Sequence, residues 1–429
     1  MASETDTGSQ LADALIPLST TSPTTDGDGL HELGDVLADF RVIGLGESTH
    51  GTREFFELKH RIVRHLVEEQ GLRLFGIEAC FGETLAINDY VLRGEGSAEE
   101  ALDGIGFWTW NTEEVRNFVE WLREFNDGRE HEDCVKFYGY DMQFTTASAS
   151  RLDNCLDHVD ASVHESVAAD LDLLADEHRV YGDDDQLRER VDAAESVVES
   201  LAPTLDNNRE TYVDATSERQ WRLARQHVTA MEQAVTRGRR MLQADEFTVE
   251  QLRQRDYAMA KNVDWILDHE PHDRIALWAH NGHVKRGGME YEDTIVPTMG
   301  DNLADRYGDD YYALGFDFHH GSFQAIGNLE DEDDSGLREF TVGTPREDSF
   351  AATLAATGVE LALLDATRAS RDPALVDWLN SEHEQRTVGA HYDHDDADDY
   401  WATFDLPEDF DGMLYVEETT RAVPLERGD

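Results

Sequence analysis

The chain has 429 residues, 40% of them hydrophobic, enough for one elaborated domain or two smaller ones around a real core. Its net charge is −56, from 36 basic and 92 acidic residues spread along its length, so its surface repels nucleic acid and anionic membranes. With lysine confined to Lys59, Lys136, Lys261 and Lys285, that balance implies a protein kept soluble in concentrated salt, as in an extreme halophile's cytoplasm.

No stretch is apolar for long enough to span a membrane, and the start lacks the basic and apolar regions of a signal peptide. A cytoplasmic location is therefore expected. Cys80, Cys134 and Cys155 are odd in number and unclustered, which makes neither a disulfide framework nor a zinc pattern. Nothing in the sequence fixes an oligomeric state.

In chain order, residues 1–28 are rich in Ser, Thr, Asp and Gly and read as a flexible acidic tail. A short helix is expected over 30–40 and a strand over 41–46. A helix over 53–69 follows, with Phe55, Phe56, Ile62, Val63, Leu66 and Val67 at helical spacing. A strand over 74–77 is closed by Glu78. Helices over 82–92 and 112–125 precede a strand over 135–140 closed by Asp141. Residues 147–268 carry long charged helical stretches at 162–179, 186–201, 212–242 and 249–267, an all-helical insertion forming part of a cleft. Strands return at 274–278, closed by His280, and at 312–318 and 322–326, paired across His319-His320-Gly321. Others follow at 361–364 and 413–416. The pattern predicts an α/β fold: a mixed, mainly parallel central sheet flanked by helices. Its domain is discontinuous, formed by 29–146 and 269–429 around the insertion.

Polar clusters follow four of the apolar strands: Glu47 with His50, then Glu78, then Asp141, then His280-Asn281-Gly282-His283. If those strands are parallel neighbours, the clusters meet at the carboxyl edge of one sheet, where open α/β folds bind ligands. Each has a plainer reading. Glu47, His50 and Asp141 can cap helices. Glu78 can be half of an ion pair, and His280 and His283 can be satisfied polar residues. The functional reading is general-base hydrolysis. A neutral imidazole takes a proton from water, a carboxylate orients it, and His, Asn or backbone N–H groups stabilise the oxyanion. Ser48 is a minority candidate nucleophile, because His50 stands where a nucleophile elbow requires its second glycine. Glu47, His50, Glu78, His280 and His283 also offer ligands for zinc or manganese, though no HExxH is present. Trp108 and Trp110 are core residues or the wall of a large apolar substrate pocket.

The run Gly44-Leu45-Gly46-Glu47-Ser48-Thr49-His50-Gly51-Thr52-Arg53-Glu54-Phe55-Phe56 resembles the signature of the erythromycin esterase family. The similarity continues through Leu58–Arg61, Gly76–Ala79, Asn88–Val91, Phe107–Trp110, Glu120–Arg123, Phe137–Gln143 and Trp278–His283. It covers most of 41–143 and 274–326. The resemblance implies the erythromycin esterase/ChaN-like fold, and hydrolysis of a macrolide-type lactone or related ester by an activated water, without an acyl-enzyme and without a cofactor or required metal. By the same resemblance His50 takes the general-base position and Glu47 and Glu78 the essential acidic ones. Lys59 takes a basic position, and His280 and His283 match the second histidine pair. Asp141 and Asn281 are expected to support the site. A metal-dependent hydrolase and a non-catalytic binder are the alternatives.

Overall fold

The computed structural model describes residues 10–25, 29–176, 183–243, 248–291, 294–327 and 336–425. The fold is mixed α/β, built on a nine-stranded sheet. Its order is Ile16–Pro17, Leu361–Asp365, Gly412–Thr419, Tyr311–Ile326, Val42–Leu45, Ile275–Trp278, Leu74–Cys80 and Lys136–Asp141. From Gly412–Thr419 to Lys136–Asp141 every neighbouring pair is parallel. Leu361–Asp365, Ile16–Pro17 and Leu337–Val342 pair antiparallel around that parallel run.

The strands are apolar on both faces because both faces are covered. Ile43, Leu45, Phe75, Ile77 and Trp278 enter one core with Phe55, Phe56, Val63 and Leu66 of helix Arg53–Gln70 and Val115 and Phe118 of Glu113–Asn126. Val42, Leu74, Ile275 and Leu277 enter the other with Met259, Val263 and Ile266 of helix Val249–His269. Each large apolar side chain fully buried in this way contributes about 1.5–3 kcal/mol.

Between the strands Lys136–Asp141 and Ile275–Trp278 the described chain is helical: Thr146–Val159, Ala161–Ala175, Asp184–Asn207, Arg209–Ala215, Glu218–Met241 and Val249–His269. A third core holds the first five of these together through Leu152, Leu171, Val197, Leu201, Tyr212 and Val228. Residues 177–179 of the expected helix over 162–179 lie outside the described residues.

Two expectations need correction. Residues 10–25 are not a tail. Leu11, Leu15 and Ile16 are buried, and Ile16–Pro17 pairs with Leu363 and Ala362 as an edge strand. Polar composition concealed a short apolar anchor; the rest of the expected tail, 1–9 and 26–28, lies outside the described residues. His319-His320-Gly321 is not a hairpin turn either. Tyr311–Ile326 is one continuous strand of 16 residues, paired on successive stretches with Val42–Leu45, Gly412–Thr419 and Leu337–Val342.

Candidate active site

Glu47 and His50 lie between strand Val42–Leu45 and helix Arg53–Gln70, whose N-cap is Thr52. Neither residue caps that helix. Glu47 is fully buried, and both its oxygens have partners. Oε1 lies 2.7 Å from His50 Nδ1. Oε2 accepts from Lys59 Nζ at 2.5 Å and from Trp278 Nε1 at 2.8 Å. Lys59 reaches up from the helix that follows, with its ammonium 4.6 Å from the Trp278 ring centre. Burial lowers its pKa to about 8, against the pull of Glu47. With Nδ1–H given to Glu47, the neutral His50 ring carries its lone pair on Nε2, at the opposite edge.

The His280 ring stands beside His50, centroids 5.1 Å apart. Its Nδ1 accepts from the Gly282 N–H at 3.1 Å. Burial first, then His50, holds its pKa well below the usual imidazole value. A neutral ring accepting at Nδ1 carries its proton on Nε2, and that Nε2 is buried without a partner. The site thus holds a lone pair on one imidazole and an unspent N–H on its neighbour.

Glu78 sits where the register between Leu74–Cys80 and Lys136–Asp141 shifts, an irregularity that redirects side chains. Its Oε2 accepts from the His280 backbone N–H at 2.9 Å. Its Oε1 accepts from Arg255 Nη2 at 2.7 Å, with His283 Nε2 at 3.2 Å. Burial opposes its charge, but His283 and Arg255 prevail and hold the carboxyl well below its ordinary range. His283 Nδ1 donates to Asp256 Oδ1 at 2.8 Å. Burial disfavours the imidazolium, yet Asp256 and Glu78 outweigh it and raise His283 to about 10. Arg255 Nη1, which can only donate, also lies 3.0 Å from His283 Nε2, so both ring nitrogens are spent within this buried network and His283 supplies no free base. Asp141 joins through Arg255 Nη2 at 2.8 Å and accepts from the Met142 N–H at 2.8 Å and Gln143 Nε2 at 2.7 Å. It does not cap the next helix, whose N-cap is Thr145.

Asn281 has a different task. Its side chain exchanges hydrogen bonds with the Phe316 backbone, 2.8 and 3.1 Å, and gives another to Gln385 Oε1. It straps the loop after Ile275–Trp278 to the strand Tyr311–Ile326 and has no free N–H for an oxyanion. The strap requires glycine at 46, where a Cβ would come within 2.1 Å of Asn281 Oδ1. Trp110 is buried edge-on to His50 and donates to the Glu78 carbonyl at 3.1 Å. Trp108 is half-buried, in the same short helical turn. Ser48 Oγ is buried without a partner, so no base activates it.

The structure brings Glu47, His50, Glu78, His280 and His283 together, with Lys59 and Asp141 behind them. The sequence reading missed Arg255, Asp256 and Trp278. Arg255 and Asp256 sit on a charged helix and look like a solvated face. One signal was there: Asp256 falls on the same stripe as the buried Met259, Ala260 and Val263. Two cavities, about 840 and 400 Å³, lie among the helical segments; Phe144 and Thr146 line both, neither is lined by Glu47, His50, Glu78, His280 or His283, and the smaller reaches Gln143, which donates to Asp141.

A family model described as erythromycin esterase matches residues 67–419. That range contains Glu78, Asp141, Arg255, His280 and His283 and begins after His50. Erythromycin esterase type II of Escherichia coli is 25% identical over 388 residues, 81% of this chain and 85% of that protein. Among solved structures, a Bacillus cereus protein superimposes with a TM-score of 0.83 at 21% identity, covering 99% of this chain and 100% of its own. An erythromycin esterase EreC mutant in its open conformation gives 0.71 at 17% identity, covering 96% and 99%. Identities this low carry the fold alone; the match along most of the chain carries the family. The chain belongs to the erythromycin esterase family.

Proposed function

We propose that this chain hydrolyses carboxylic esters, opening a macrolide-type lactone or a related ester with a water activated by His50. Family membership supports a hydrolase of the erythromycin esterase type. The observation that carries the finer reading is the Glu47–His50 hydrogen bond, with Glu47 anchored in turn by Lys59 and Trp278. Glu47 fixes the ring and stabilises the imidazolium that forms when Nε2 takes a proton from water. The hydroxide attacks the ester carbonyl. His280 Nε2–H has no other partner; it is covered in this structure and donates to the oxyanion once the substrate carbonyl reaches it. The imidazolium then returns its proton to the leaving alkoxide, and no covalent enzyme intermediate forms. Glu78 holds the His280 backbone, while Arg255, Asp256, His283 and Asp141 fix Glu78.

In this reading the helical segments form one wall of the substrate cleft. The test is a panel of lactones and simple esters, erythromycin included, assayed in molar KCl for product and for binding. Ring-opened or cleaved product is expected, and it is expected to persist after chelation. Tight binding of these compounds without product contradicts the proposal and favours a non-catalytic relative. Loss of all turnover on chelation, restored by metal, favours a metal-dependent mechanism.

A further inference from the structure

We propose that His319, His320 and Glu417 form a binding site for one first-row divalent cation of the zinc class, separate from the His50 cluster. Among the described residues, these are the three His, Cys, Asp or Glu side chains whose donor atoms lie within 4.8 Å of one another. His319 Nδ1 is 3.0 Å from His320 Nδ1 and 3.6 Å from Glu417 Oε1. Two imidazole nitrogens each about 2.0–2.1 Å from one zinc ion are separated by about 2.9–3.4 Å at adjacent coordination positions. The two rings are 89° apart in plane, so they converge on a point without stacking. Two imidazoles and one carboxylate are a donor set for zinc, cobalt or nickel and a poor one for magnesium or calcium.

The backbone makes this convergence possible. Successive side chains of a strand point to opposite faces, so neighbours do not ordinarily bring ring nitrogens together. Gly321 follows directly with φ of 134°, and a Cβ there would lie 2.1 Å from the Thr419 carbonyl oxygen. The strand therefore departs from the regular pleat just beyond the histidine pair. Glu417 arrives on the adjacent parallel strand, between the register pairs Val416 with Phe318 and Glu418 with His320. The Tyr415 hydroxyl donates to Glu417 Oε2 and leaves Oε1 toward His319, the kind of outer support that orients a metal-bound carboxylate. His319 and Glu417 keep 16% and 32% side-chain exposure, so water completes the coordination. Arg386, which donates to the His319 carbonyl at 2.9 Å, is the cation that opposes binding. The ion clips the strand Tyr311–Ile326 to Gly412–Thr419 and takes no part in hydrolysis.

The experiment is calorimetric titration of the full chain with zinc, and visible spectroscopy with cobalt, both in molar KCl to screen the acidic surface. One ion per chain is expected, with a rise in melting temperature. Affinity is expected to fall by at least ~10–100-fold in the His319→Ala, His320→Ala double variant and in Glu417→Gln. His164→Ala, which removes a half-buried histidine paired with Asp153, is expected to change nothing. Ester hydrolysis is expected to survive in the double variant, which separates this site from the proposed one. Absence of a saturable site in the wild type overturns the proposal. So does undiminished affinity in the double variant, in which case the 3.0 Å contact is a hydrogen bond between neutral rings. If circular dichroism shows the double variant unfolded, Glu417→Gln decides alone, and unchanged affinity there is equally fatal.

Discussion

Ser48 stands between Glu47 and His50, yet its hydroxyl has no hydrogen-bond partner and no water access. A buried unsatisfied hydroxyl costs free energy, so Ser48→Ala is expected to keep both turnover and melting temperature, or to raise the latter slightly. Abolished activity in that variant would restore the serine mechanism. His283 makes a pH-dependent contribution whose sign follows from its raised pKa of about 10. In the unfolded chain the imidazole titrates at about 6.5. Its stabilisation is complete below that pH and is lost as pH rises through the folded value. Lys59, lowered to about 8, acts in the opposite sense, so the wild type alone cannot isolate His283. Urea unfolding of wild type and His283→Gln is expected to show a stability gap widest near pH 6 and narrowing toward pH 10. A gap constant over that range contradicts the raised pKa of His283. At this scale Glu47, His50, Glu78 and His280 were legible because each follows an apolar run of the sequence. Arg255 and Asp256 were not, since a charged residue on a charged helix carries no mark of burial.

At the scale of elements, the helix Val249–His269 does two things. Its apolar stripe covers the sheet through Met259, Val263 and Ile266, and its Arg255 neutralises Glu78 and Asp141 from above. Arg255→Ala leaves two buried carboxylates without their shared cation. Breaking a buried pair in this way costs about 3–5 kcal/mol. Denaturant unfolding of the variant is expected to show a loss of that size together with loss of turnover. A change below ~1 kcal/mol would mean the guanidinium is solvated and the pairing incidental. Strand and helix order was readable from apolar runs and helical spacing. The continuous strand Tyr311–Ile326 was misread because His-His-Gly looks like a turn. Glycine there serves a close approach to Thr419 instead, which depends on a strand nearly a hundred residues away.

For the whole molecule the dominant quantity is the net charge of −56. At molar salt the Debye length is about 3 Å and that self-repulsion is screened; in dilute buffer it acts across the entire surface. Circular dichroism is expected to show cooperative loss of the fold as KCl is diluted to millimolar levels, and full stability there would contradict the halophilic reading. No helix among the described residues is long and apolar enough to cross a membrane. Hydrolysis in this reading depends on one imidazole, that of His50. The decisive comparison is steady-state turnover of wild type and His50→Ala on the best substrate of the ester panel, in molar KCl. Removing the general base is expected to cost ~10²–10⁴-fold in turnover while the circular dichroism spectrum stays that of the wild type. Turnover within a few-fold of wild type in a folded His50→Ala protein would show that His50 is not the base.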